Sequence, residues 1–152
     1  MDKHQKIRLL GFPIDLGADR RGVDMGPSAL RIADIDKKLE SLGFTVVDEG
    51  DIPIRNIEVQ DAADQRLKYL PEVVEMSGVL AGRLRSILTD GDFPLILGGD
   101  HSMSVGSLAG IGSWCRERGK TLGVLWIDAH ADMNTAETTP SGNIHGMPLA
   151  VA

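Results

Sequence analysis

Apolar positions along the chain change their period several times, and each change marks an element. Residues 7–14 (IRLLGFPI), 44–47, 93–97 and 122–127 are short apolar runs without helical spacing, and such runs predict buried strands. Between them the period lengthens. Within 29–42, Leu30, Ile32, Ile35, Leu39 and Leu42 recur at helical intervals. Pro27 suits the first turn, where its missing N–H costs nothing, and Gly43 suits the position just past the end. Over 71–88, Val73, Val74, Met76, Val79, Leu80, Leu84 and Leu88 recur at three and four, the stripe of an amphipathic helix. Residues 101–118 read as a helix rich in small residues, which allow close packing on a sheet. Residues 17–26, 48–60 and 133–146 read as loops, and 149–152 as the beginning of a further helix.

The resulting order is βαβ, loop, αβαβ. Such alternation predicts an α/β fold: a doubly wound, mainly parallel sheet with helices on both faces, a three-layer α-β-α architecture. Residues 1–152 contain no internal repeat, low-complexity tract or interdomain linker, so one domain is expected.

Composition narrows the function classes. With 42% hydrophobic and 25% charged residues the chain has the make-up of an ordinary globular domain. A net charge of -6 argues against a nucleic-acid surface. The opening MDKHQKIRLL is too polar for a secretory core, and no apolar run reaches the ~18 residues that span a membrane. The single cysteine, Cys115, cannot form an intrachain disulfide and reads as a packing residue in a helical stretch. A cytoplasmic location, without nucleic-acid or membrane partners, is expected.

Two strand ends carry candidate chemistry. The run at 122–127 leads into Asp128-Ala129-His130-Ala131-Asp132. In extended chain, residues two apart share a side, so Asp128, His130 and Asp132 would converge while the alanines face away. Two carboxylates and an imidazole suit a divalent metal. The same five residues also fit a polar strand end with one solvated and one helix-capping aspartate. The run at 93–97 ends in Gly98-Gly99-Asp100-His101-Ser102. Its glycines permit a tight turn, and Asp100 or Ser102 could cap the next helix. No later glycine or Gly-Lys follows, so this is not a phosphate cradle. Two strands ending in His and Asp favour a ligand site, because open α/β sheets bind ligands beyond their carboxyl ends. The polar loop 133–146 follows directly, and its His145 could carry a proton near neutral pH. The basic pair Arg20-Arg21 reads as solvated.

The segments LGGDHS, WIDAHADMNT and SGNIHGMP resemble the arginase branch of the ureohydrolase family, binuclear manganese enzymes that hydrolyse guanidino groups. GFPIDLGADRRGVDMGPSALR resembles the same family's amino-terminal segment, and the likeness covers nearly the whole chain. It implies an arginase-like domain that is truncated here, incomplete at its C-terminus, because the family is longer than 152 residues. It implies two Mn2+ ions, with His101 and Asp132 on one, His130 on the other and Asp128 bridging both. A metal-bridging hydroxide oriented by Asp132 would attack L-arginine to give L-ornithine and urea. His145 matches the family's proton shuttle. Asn134, Thr139 and Ser141 match positions that read the substrate's α-carboxylate, and Asn143 belongs to the same loop. Carboxylate readers point to arginase rather than agmatinase, whose substrate lacks that group. The family also forms trimers or hexamers, which implies a homo-oligomer.

The family draws further ligands from a later Asp-x-Asp pair, and a later Glu contacts the guanidinium. Neither lies within these residues. The alternatives are therefore another ureohydrolase, such as an agmatinase or formimidoylglutamase, or an inactive fragment serving as a binding or assembly module. In the family, later strands separate the third and fourth strands. The fourth is therefore expected either to close that gap or to stand misplaced with an apolar face exposed.

Overall fold

The computed structural model describes residues 5–55 and 64–151. Three strands, β1 (Ile7–Phe12), β2 (Val46–Asp51) and β3 (Phe93–Gly98), form a parallel sheet in the order β2-β1-β3. Ile7 of β1 lies opposite Val46 on one side and Phe93 on the other. The middle position explains why β1 reads as an unbroken apolar run: parallel strands are covered on both faces, and Leu9 and Phe12 are fully buried. β2 begins and ends later than its apolar signal at 44–47, and so takes the first residues of the expected loop at 48–60. Residues 56–60 of that loop lie outside the described residues.

Four α-helices among the described residues accompany the sheet: α1 (Gly26–Ile32), α2 (Ile35–Ser41), α3 (Leu70–Thr89) and α4 (Met103–Glu117). The single helix predicted over 29–42 is two helices. Asp34 takes a left-handed conformation, φ 57°, which an Asp tolerates better than most residues. Arg31, one turn earlier, is tied to Asp48 and Asp51 at 2.7 and 2.6 Å, which binds the end of α1 to β2. Ile32, part of the predicted apolar stripe, is 84% exposed as a result.

The chain steps from β1 to β2 on one side, then crosses back over β1 to β3. Right-handed crossovers in opposite directions place α1 and α2 on one face and α3 on the other. The buried face of α3 is Val73, Ser77, Leu80, Leu84 and Ile87, spaced four, three, four and three. It is narrower than the predicted stripe, since Val74 and Val79 are exposed. α4 approaches α3 rather than the sheet. A Cβ on Gly106 would stand 2.7 Å from the Ser77 carbonyl oxygen, and one on Gly110 would stand 2.7 Å from Ala81 Cα. The small residues of α4 therefore serve a helix–helix contact. Cys115 is buried, in keeping with a packing role.

The largest departure lies at 122–127, which forms no strand. Leu125 and Ile127 are 85% and 88% exposed. A strand is stabilised by cross-strand pairs and burial, and among the described residues this run finds no ladder partner. Only Trp126 turns inward, where its ring meets that of His101 edge-on at 5.8 Å. Residues 148–150 make one 3-10 turn in place of the expected helix start. No helix among the described residues is long and apolar enough to cross a membrane.

Candidate functional site

β1 and β3 are neighbours whose following chains leave for opposite faces. That divergence opens a crevice beyond their carboxyl ends, where α/β sheets place ligands. Here two loops run side by side past the sheet. Gly99 N–H donates to the Phe12 carbonyl at 3.1 Å, and Asp100 N–H donates to the Ile14 carbonyl at 2.8 Å. Gly99 has to be glycine, since a Cβ would stand 1.9 Å from the Ile14 carbonyl oxygen. Asp100 is buried. Its Oδ1 accepts Ser102 N–H at 2.8 Å and Ser102 Oγ at 2.5 Å, and its Oδ2 accepts Ala18 N–H at 2.8 Å. Ser102 occupies the N-cap of α4, but its hydroxyl serves Asp100 and makes no capping bond.

His101 Nδ1 lies 2.8 Å from Asp132 Oδ2 and 3.2 Å from Asp128 Oδ2. One atom from each of these residues falls within 4.8 Å of the others, a spacing that could hold one metal ion. The predicted convergence of Asp128, His130 and Asp132 is corrected in one respect. Asp132 sits in a left-handed conformation, φ 48°, which breaks the two-residue alternation of extended chain. Asp128 and Asp132 therefore meet His101, and the His130 ring, 83% exposed, touches Asp128 alone of the three, at 3.3 Å. His130 N–H donates to Asp128 Oδ1 at 2.7 Å. That bond, ahead of the nearby imidazoles, holds the Asp128 carboxyl below its usual range. The backbone of Asp132 is pinned by Leu149 N–H at 3.0 Å.

A cavity of about 570 Å³ brings the other predicted residues to this group. Its walls include His101, His130, Asp132, Asn134, Thr139, Ser141, Asn143 and His145. Asp128 joins through its contact with His101. Thr139 Oγ1 accepts Gly142 N–H at 3.0 Å, and Ser141 Oγ accepts Asn143 N–H at 3.3 Å, so both hydroxyls shape the loop. Asn143 Nδ2 donates to the Ala18 carbonyl at 2.9 Å. His145 donates twice to the Gly17 carbonyl, from N at 3.1 Å and from Nδ1 at 2.9 Å. A carbonyl only accepts, so Nδ1 carries the hydrogen and neutral His145 keeps its lone pair on Nε2. A second cavity of about 470 Å³, between α4 and residues 122–124, has mostly apolar walls with Arg116 as its one titratable side chain.

Sequence patterning finds this loop but not the long-range bonds that it carries. Asp19 accepts Lys68 Nζ at 2.8 Å and Tyr69 OH at 3.0 Å, and its carboxyl is held below the usual range, first by the Lys68 contact. Arg21, expected in a solvated pair, is bonded to the buried Asp15. Burial is the largest influence on the Asp15 carboxyl and raises it against the pull of Arg21. The run of Asp and Gly at 15–19 signals a loop, but no local pattern announces partners 49 or 128 residues away.

The arginase family model matches residues 5–152. The chain is 50% identical to the arginase of Bacillus caldovelox over 147 residues, covering 96% of this chain and 48% of that protein. The native structure of that arginase superposes with a TM-score of 0.88, over the same shares of the two chains. An Entamoeba histolytica arginase in complex with L-ornithine superposes with a TM-score of 0.85 at 32% identity, covering 96% of this chain and 49% of that one. The chain thus spans about half the length of the relatives it matches.

Proposed function

Since the chain belongs to the arginase family, we propose that it carries metal-binding and substrate-reading groups of a manganese-dependent hydrolase that converts L-arginine to L-ornithine and urea. The observation behind the reading is the His101–Asp128–Asp132 group at the end of the 570 Å³ cavity. Two carboxylate oxygens and an imidazole nitrogen are hard and borderline donors, a set that suits Mn2+. His101, Asp128 and Asp132 would hold one ion, and His130, which touches Asp128 at 3.3 Å, would contribute to a second. When bound, such a metal pair lowers the pKa of water to about 7 and so supplies a nucleophile at neutral pH.

This chain's own residues would take the following further roles. Asp128 and Asp132 would supply negative charge to balance the cations. His145, with Nδ1–H committed to Gly17, offers Nε2 to take a proton and pass it to the departing amine. Asn134, Thr139 and Ser141 would read the α-carboxylate, and Asn143 would hold their loop to residue 18. The chain spans about half of its relatives, so hydrolysis is proposed for the whole protein and these groups for this part of it. A cytoplasmic homo-oligomer is part of the same proposal; Cys115, which is in no disulfide, supports a reducing compartment.

The test is metal retention. Wild type, Asp128→Asn and Asp132→Asn are loaded with Mn2+, desalted and assayed for bound metal. The variants should lose at least about tenfold in affinity, because a lost ligand costs no less than a lost outer-shell partner. Equal retention by all three would overturn the proposed ligand set. Urea released from L-arginine and not from agmatine would support the substrate assignment, and the reverse would refute it.

A further inference from the structure

One peptide group links a buried carboxylate to the ring of His145. The Gly17 carbonyl and the Ala18 N–H belong to the same planar unit, and in a trans peptide they point in opposite directions. The N–H donates to Asp100 Oδ2 at 2.8 Å. The carbonyl accepts both His145 N–H at 3.1 Å and Nδ1–H at 2.9 Å. Asp100 cannot swing away, because it is buried and its other oxygen is committed twice to Ser102. Only glycine allows this close approach of residue 17: a Cβ there would stand 2.5 Å from Ser102 Oγ and 2.7 Å from Asp100 Oδ1.

We propose that Asp100 is a positioning residue, which acts through the Gly17–Ala18 peptide to hold the His145 ring in its Nδ1–H form with Nε2 facing the site. Two physical effects carry this. The planar peptide transmits orientation, so anchoring the N–H aims the carbonyl at the ring. Hydrogen bonds in a chain also polarise one another, so an N–H bonded to a carboxylate makes its own carbonyl a stronger acceptor. The Ala18 carbonyl, one residue on, holds Asn143 at 2.9 Å, so the same anchor steadies the substrate loop. The proposal rests on the reading of His145 as the proton carrier, but its test needs neither metal nor arginine. Failure of either idea therefore leaves the other standing.

The experiment is nitrogen-15 NMR of the histidine rings in the folded chain at neutral pH, with amide hydrogen exchange. Wild-type His145 should show the Nδ1–H form, and finding Nε2–H overturns the proposal outright. Asp100→Ser keeps an oxygen for Ser102 N–H but is too short for Ala18. It should lose the single-tautomer spectrum at His145, leave exposed His130 unchanged, and speed Ala18 exchange by more than about tenfold, as loss of a charged hydrogen bond implies. A folded Asp100→Ser chain with an unchanged His145 spectrum overturns the proposal. If that variant does not fold, wild type still decides. One opening must break both bonds to the peptide, so Ala18 and His145 amides should show the same opening free energy, and a tenfold difference refutes the coupling.

Discussion

Alanine at four glycines of the helix pair should split into two groups of opposite sign. In an exposed helix interior, Gly→Ala stabilises by about 0.5–1 kcal/mol, because alanine loses less backbone entropy on folding. Gly78 and Gly82 on α3 meet this condition, since a Cβ at either has nothing within 4 Å. Gly106 and Gly110 on α4 do not. At Gly106 the new carbon would stand 2.7 Å from the Ser77 carbonyl oxygen and 2.9 Å from Ser77 Cα. At Gly110 it would stand 2.7 Å from both Ala81 Cα and the Ala81 carbonyl oxygen. These are backbone atoms, which cannot rotate aside, so the helices must separate. Forcing one extra carbon into a packed interior costs about 1–3 kcal/mol. The helix-propensity gain offsets part of it, leaving a net loss of up to about 2.5 kcal/mol at each site. At about 2–4 °C per kcal/mol, Gly78→Ala should raise Tm by about 1–4 °C and Gly110→Ala should lower it by up to about 10 °C. The Gly106→Ala/Gly110→Ala double variant should cost less than the sum, because the first separation makes room for the second. Thermal unfolding followed by circular dichroism reads all of these. A Gly110→Ala chain as stabilised as Gly78→Ala would refute the close α3–α4 approach, and with it the framework that sets the start of α4 beside His101.

Two further outcomes follow from individual contacts. Asp19 has a folded pKa below its ordinary 3.8, so its stabilising contribution is present above that value and is lost as pH falls through the folded pKa. Tm curves of wild type and Asp19→Asn should therefore differ by the equivalent of about 1 kcal/mol or less near pH 6 and draw together as the pH falls below 3.8, and parallel curves would refute the assignment. Leu125→Gln/Ile127→Gln changes side chains that are 85% and 88% exposed. Tm should move by no more than about 2 °C, while binding of a hydrophobic dye falls; a large loss of Tm would mean that this run is buried in solution.

Much of the fold can be read along the chain wherever the governing interactions are periodic. α3 is legible because its buried positions recur at three and four, and β1 because a central parallel strand is apolar throughout. The break at Asp34 is not legible, since the same stripe fits one helix or two. The choice follows ion pairs from Arg31 to Asp48 and Asp51, on a strand still to come. The run at 122–127 has strand-like residues, yet a strand also needs neighbours, and that requirement is not local.

The candidate site divides in the same way. Residue chemistry is a local property, so His and Asp after two apolar runs already point to a metal site, and the long motifs point to the family. Which of those side chains meet depends on the backbone. A left-handed Asp132 replaces the expected Asp128–His130–Asp132 alignment with a group centred on His101. The hydrogen on His145 depends on a carbonyl 128 residues away. Periodicity and composition report what each segment buries and which donors it carries. Contacts between distant segments exist only once the chain has folded, and they determine which donors converge and which nitrogen keeps its lone pair.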